Sequence, residues 1–277
     1  MTRRLLSYWV ALSAVFLPVA ESTASNYVFE LDGPRVQGGL LQGRTAPDAE
    51  VAFNGDRIRV SAEGLFLVGF HRDEPEQAVV TVIYADGHQA QHTIKVERRE
   101  YEIQRIDGLP TRLVSPSEDD LQRIREESAA VRKVRTLDDP RADFLSGFQW
   151  PTTGIITGVY GSQRILNGEK RRPHFGIDIA APEGTEVLAP ADGVVTLVNP
   201  DMFFSGGTMI LDHGHGLSSA FLHLSRIIAT EGEAVKQGDV IAEVGSTGRV
   251  TGDHLDWRIN LFERRLDPQL LVGPMPQ

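Results

Sequence analysis

Gly252-Asp253-His254-Leu255-Asp256-Trp257-Arg258-Ile259-Asn260 alternates polar and apolar residues and runs on into Leu261. Side chains on a strand point to opposite faces with a period of two, so His254, Asp256, Arg258 and Asn260 share one face. Leu255, Trp257, Ile259 and Leu261 share the other, and the segment is expected to be a strand with one packed face. A polar row containing His and Asp is a candidate site wall, although alone it would suit a solvent-facing strand equally well. From residue 150 onward Gly and Pro punctuate brief runs rich in β-branched residues, of which 194–198, 208–211 and 240–244 are the clearest strands. Almost no helical period interrupts them, which predicts an all-β unit over 147–277.

Upstream, the texture differs. Val51-Ala52-Phe53 precedes Asn54-Gly55-Asp56, and Val79-Val80-Thr81-Val82-Ile83-Tyr84 precedes Asp86-Gly87. Short alternating runs broken by such turn pairs predict an immunoglobulin-like antiparallel β-sandwich over 26–108. His71, His88 and His92 lie there without metal-ligand spacing and read as surface histidines. Residues 109–146 form a helical connector: Ser117 is a helix cap, acids fill the first turn, and Leu121, Ile124, Val131 and Val134 recur at near-helical spacing until Asp139-Pro140 stops it. At the start, Arg3 and Arg4 precede an uncharged run over 5–19, shorter than the roughly 20 apolar residues that span a bilayer. This is expected to be a signal peptide, residues 1–24, cleaved after Ala24 to release a periplasmic or secreted protein without a stable membrane span.

Composition narrows the chemistry. The 277 residues include no Cys, which removes disulfides, thiol catalysis and Cys-ligated zinc, so any metal must be held by His, Asp or Glu. The formal charge is −10, with no basic run longer than Lys170-Arg171-Arg172, so nucleic acid is not an expected partner. His174 and Asp178 lie four residues apart. On a straight strand they would be about 13 Å apart, so binding one ion requires a bend near Gly176.

An ordered series of motifs extends these observations. It comprises His174-Phe175-Gly176-Ile177-Asp178, Ala189-Pro190-Ala191-Asp192-Gly193-Val194-Val195, Asp212-His213-Gly214, Phe221-Leu222-His223-Leu224-Ser225, Val235-Lys236-Gln237-Gly238-Asp239-Val240-Ile241, and Gly245-Ser246-Thr247-Gly248 through His254-Leu255-Asp256. Over about 147–268 this series resembles the LytM/lysostaphin-type zinc endopeptidases, all-β proteins that cut peptide cross-links of the bacterial cell wall. The resemblance implies an antiparallel LytM-type peptidase domain holding one Zn2+ per chain. His174 and Asp178 would be metal ligands, and His223 and His254 the catalytic histidines. Peptidoglycan peptides would be the substrate, with envelope proteins as further partners. His213 and His215 are expected to shape the loop after the preceding strand.

The chain departs from the family at one position. The family's last motif is His-x-His, whose second His is the third metal ligand, and here that position is Asp256. Asp is a competent zinc ligand at roughly 2.0–2.2 Å. Its carboxylate oxygens lie as many bonds from Cβ as the Nδ1 of His. One His with two carboxylates neutralises a divalent cation, whereas two His with one carboxylate leave a charge of +1. A less positive centre should acidify its bound water less, and harder oxygen ligands should favour tolerance of Mn2+. Two other functions compete. One is a catalytically inactive regulator of the same fold that activates cell-wall amidases. The other is a biotinyl- or lipoyl-type carrier, suggested by 235–244, but the turn at Gly245-Ser246-Thr247-Gly248 offers no Lys to modify.

Overall fold

The computed structural model describes residues 27–106, 117–166 and 168–276. The expected signal peptide, and the stretch joining the sandwich to the helix, lie outside the described residues. Seven strands build the N-terminal unit: β1 (Phe29–Asp32), β2 (Leu40–Thr45), β3 (Glu50–Phe53), β4 (Asp56–Ile58), β5 (Leu65–Gly69), β6 (Gln77–Ile83) and β7 (Gln89–Lys95). They form two antiparallel sheets, β1-β2-β5 and β4-β3-β6-β7, around a core that includes Leu41, Phe53, Phe66, Val68, Val80 and Val82. The Asn54-Gly55 pair turns β3 into β4 with φ of 50° and 93°, a left-handed pair that these two residue types tolerate best. The following strand, β8 (Ile103–Ile106), pairs in parallel with residues 163–166 of the second unit instead of joining the sandwich.

The helix α1 (Glu118–Arg135) begins with a full capping box: Ser117 Oγ accepts from the Asp120 amide, and the Asp120 carboxylate accepts from the Ser117 amide. After it come β9 (Ile155–Gly158), β10 (Gln163–Leu166), β11 (Glu169–Lys170), β12 (Ile177–Ala180), β13 (Glu186–Leu188), β14 (Gly193–Met202) and β15 (Gly206–Asp212). The chain closes with β16 (Leu217–Leu224), β17 (Arg226–Ile227), β18 (Ala234–Val235), β19 (Val240–Glu243), β20 (His254–Leu261) and β21 (Arg264–Leu266). An eight-stranded sheet in the order β18-β14-β15-β16-β20-β12-β9, with β21 attached to β20, dominates this unit. Two small sheets, β13-β19-β17 and β11-β10-β8, accompany it. Among the described residues no helix is long and apolar enough to cross a membrane.

The large sheet has two different faces. One carries Ile177, Ile179, Met209, Leu211, Phe221, Trp257 and Ile259, which close over Val187 and Ile241 of the β13-β19-β17 sheet in the main core. Burying a residue the size of Leu or Phe contributes about 1.5–3 kcal/mol, so this face provides most of the force that holds β20 in place. Leu40 and Leu67 of the sandwich join the same core, and ion pairs Arg99–Asp267 (2.6 Å) and Arg264–Glu74 (3.0 Å) tie the two units at that junction.

The opposite face carries an apolar patch, Leu197, Met202, Ile210, Ala220 and Leu222, against which Val131 and Val134 of α1 pack. Leu222 pairs with Asp256 and Ala220 with Arg258 across the β16–β20 ladder, so the patch and the polar row of β20 share a face. The helix therefore lies alongside the row. The alternation of 254–261 does produce a strand, but its polar face is not a solvent face: Asp256 is 2% and Asn260 0% exposed.

Candidate metal centre

β12 and β20 are antiparallel neighbours whose register places Asp178 directly opposite Asp256. Two carboxylates facing one another across a ladder repel, and each is offset by a guanidinium. Arg164 Nη2 donates to Asp178 Oδ2 at 3.0 Å. Arg258 grips Asp256 with two bonds, Nε to Oδ1 at 2.9 Å and Nη2 to Oδ2 at 2.5 Å. Burial opposes ionisation of Asp256, but Arg258, then His174 and His223, outweigh it and hold the carboxyl well below the usual range.

His174 lies before β12 on a bent segment, pinned where its amide donates to Ser162 O (2.9 Å) and its carbonyl accepts from the Gly161 amide (2.7 Å). The bend brings its Nε2 to 3.2 Å from Asp178 Oδ1. Two glycines open the space that the carboxylates occupy. A Cβ at Gly158 would fall 2.2 Å from Asp178 Oδ2, and one at Gly176 would fall 2.5 Å from Asp256 Oδ1. Neither position has a left-handed φ, so what it requires is space.

Ligand atoms of His174, Asp178 and Asp256 lie within 4.8 Å of one another, and all three residues are buried. Both ring nitrogens of His174 and the Oδ1 of Asp178 are buried without a hydrogen-bond partner. Orphaned buried polar atoms each cost about 1–3 kcal/mol and are rare. Their close approach without hydrogen-bond geometry is what two donors aimed at a common point show. The 3.2 Å separation is near the edge of a tetrahedron with 2.1 Å bonds, about 3.4 Å. Asp256 spends one lone pair on each oxygen on Arg258, and a carboxylate carries about four, so lone pairs remain for an ion. One imidazole and two carboxylates, all buried, suit a divalent cation of the zinc type.

His223 and His254 stand beside this group with ring centroids 4.9 Å apart. His223 adopts φ +66°, a strained conformation for a residue with a Cβ, and its amide leaves the ladder to donate to Ser205 O at 2.8 Å. Its Nδ1 donates to Thr247 O (2.9 Å), and Nδ1 of His254 donates to Gly252 O (2.8 Å). Each carbonyl fixes the proton on Nδ1 and leaves Nε2 with its lone pair. His254 Nε2 lies 3.8 Å from Asp178 Oδ1. Burial pushes the His223 pKa down, which favours the neutral, proton-accepting ring.

The remaining histidines stand apart from this group. His213 is fully buried, donates from Nδ1 to Asp192 O (2.7 Å) and accepts at Nε2 from Ser219 Oγ (2.8 Å); burial pushes it down to about 4. His215, at φ 52°, packs edge-on against Phe144. In the sandwich His92 stacks on Phe29 at 3.5 Å and is only partly exposed, so it is not the solvated residue expected. Arg164 and Gly158 were not legible as site parts: neither belongs to a local pattern, and each arrives through long-range pairing. Thr247 and Gly252 lie in quoted motifs, but the use of their carbonyls was not legible.

Residues 172–268 match the family model of Peptidase family M23. A solved Pseudomonas aeruginosa protein assigned to peptidase M23 superposes with a TM-score of 0.66 at 30% identity, covering 86% of this chain and 95% of that one. The chain belongs to peptidase family M23. The DD-carboxypeptidase/endopeptidase Mpg of Neisseria meningitidis is 40% identical over 106 residues, which is 38% of this chain and 24% of Mpg. The peptidoglycan DD-endopeptidase ShyA of Vibrio cholerae is 39% identical over 121 residues, 43% of this chain and 28% of ShyA. The matched segment spans about a quarter of the length of these curated relatives.

Proposed function

We propose that the protein is an exported, zinc-dependent endopeptidase that hydrolyses peptide cross-links of peptidoglycan. The observation that carries the reading is the buried His174 ring, with neither nitrogen hydrogen-bonded, set against the unpartnered Asp178 Oδ1 and the Asp256 carboxylate. His174, Asp178 and Asp256 would hold the ion. When bound, zinc supplies Lewis acidity toward the scissile carbonyl and toward a water molecule. His223 and His254 present basic Nε2 atoms whose tautomer the Thr247 and Gly252 carbonyls fix. One accepts the proton of the attacking water, and in the protonated form either can donate to the developing oxyanion. Substrate class is supported by the names of Mpg and ShyA, and export by the signal-like residues 1–24.

The test is digestion of purified sacculi with wild type, His223→Ala and Asp178→Asn, with and without chelator. Wild type is expected to release new peptide amino termini. His223→Ala should lose 10²-fold or more of the rate, within the range for a general base. Asp178→Asn and chelated wild type should be inactive. No new termini under any divalent metal would overturn the enzyme reading and favour the amidase-regulating one.

A further inference from the structure

We infer that Arg258 is a positioning residue that makes Asp256 act as the electrostatic equivalent of a neutral imidazole ligand, so that the Asp256–Arg258 pair, and not Asp256 alone, replaces the second His of His-x-His. The inference rests on the metallopeptidase reading above. Charge comes first. One imidazole and two carboxylates cancel a dication, whereas two imidazoles and one carboxylate leave +1. Arg258 held against Asp256 makes a neutral pair, as an imidazole is, so exchanging His for this pair leaves the charge of the centre unchanged, and with it the ability to acidify water; the Arg164–Asp178 contact is the same in either case.

Geometry supports the same conclusion. Positions 256 and 258 are two apart on one strand, so both side chains rise from the same face of β20. The fork binds with two bonds, at 2.9 and 2.5 Å, which orients the carboxylate plane as well as neutralising it. Gly176 clears room for both members: a Cβ there would meet Asp256 Oδ1 at 2.5 Å and Arg258 Cγ at 2.6 Å. By contrast Arg164 makes a single bond to Asp178, on the oxygen opposite the unpartnered Oδ1. On this proposal the centre is not made less positive, as Asp256 counted alone would imply.

The experiment measures zinc affinity of the full chain by competition with a chromophoric chelator, for wild type, Asp256→His, Arg258→Gln, the double variant, and Arg164→Gln as a control. Thermal unfolding of each metal-free form is recorded alongside. Asp256→His alone should bind zinc more than tenfold more weakly, because the Arg258 charge then faces the ion with no carboxylate between them. The double variant should return to within about threefold of wild type. Arg258→Gln alone should bind zinc more tightly while its kcat on sacculi falls, two changes of opposite direction that a merely structural arginine would not produce. Arg164→Gln should not rescue Asp256→His. Additive effects of the two substitutions, or looser zinc binding by Arg258→Gln, would overturn the pair. Failure of wild type to bind stoichiometric zinc would instead remove the metallopeptidase reading beneath it.

Discussion

Gly158 faces Asp178 across the β9–β12 ladder, and the space it leaves is filled by a carboxylate oxygen. Gly158→Ala would place a methyl 2.2 Å from Oδ2 and 3.0 Å from the Asp178 Cβ, so the whole short side chain must move. A ligand displaced by even a few tenths of an ångström loses optimal coordination, and zinc affinity is expected to fall at least tenfold in a chelator competition. Equal affinity in the two proteins would show that Asp178 is not held by this contact. The same residues show where sequence reading stops. Four positions separate His174 from Asp178, and the need for a bend follows from strand rise alone. The bend itself comes from hydrogen bonds between 174 and residues 161 and 162, which no local pattern encodes.

At the level of elements, β20 was legible because strand alternation is a local property, and its apolar face is buried as the pattern requires. Burial of the polar face was not legible, since it depends on what packs over the row: Gly176 against Asp256 and Arg265 against Asn260. The N-terminal cap and start of α1 were readable from Ser117 and its acids, whereas its docking was not. That docking rests partly on Glu127, whose carboxylate accepts from the Phe203 amide (2.9 and 3.1 Å) and from Arg123 Nε (2.7 Å). Glu127→Ala strands that amide and leaves Arg123–Asp201 (3.1 Å) as a remaining polar tie between the helix and β14. Loss of a hydrogen bond to a charged group costs about 1.5–3 kcal/mol, read as a lower denaturant midpoint with faster amide exchange along 118–135. Unchanged exchange there would mean that Val131, Val134 and the Arg123–Asp201 pair hold the helix without Glu127.

Across the whole molecule the formal charge is −10, yet several arginines gather near the candidate metal centre. Burial, then Arg164 and Arg171, lowers the pKa of Arg249, and burial, then Arg258 and Arg172, brings Arg265 down to about 10. These arginines are close enough to depress one another, and Arg164 and Arg258 bring the group to the two carboxylates of the candidate metal centre. Peptidoglycan stems, the proposed substrate, end in carboxylates, so the net charge would repel them while the arginines at the candidate site would attract them. Distance decides which prevails. At 0.1 M salt the Debye length is about 10 Å, so surface acids elsewhere on the chain are screened while groups lining the site are not. The cluster should therefore govern approach, as charged clefts do when they raise association rates. On this basis kcat/KM on sacculi falls several-fold between about 50 and 500 mM NaCl, and hydrolysis of an uncharged, amidated peptide stays flat. A rate on sacculi that rises with salt would mean that the overall negative charge, and not the arginines at the site, controls the encounter.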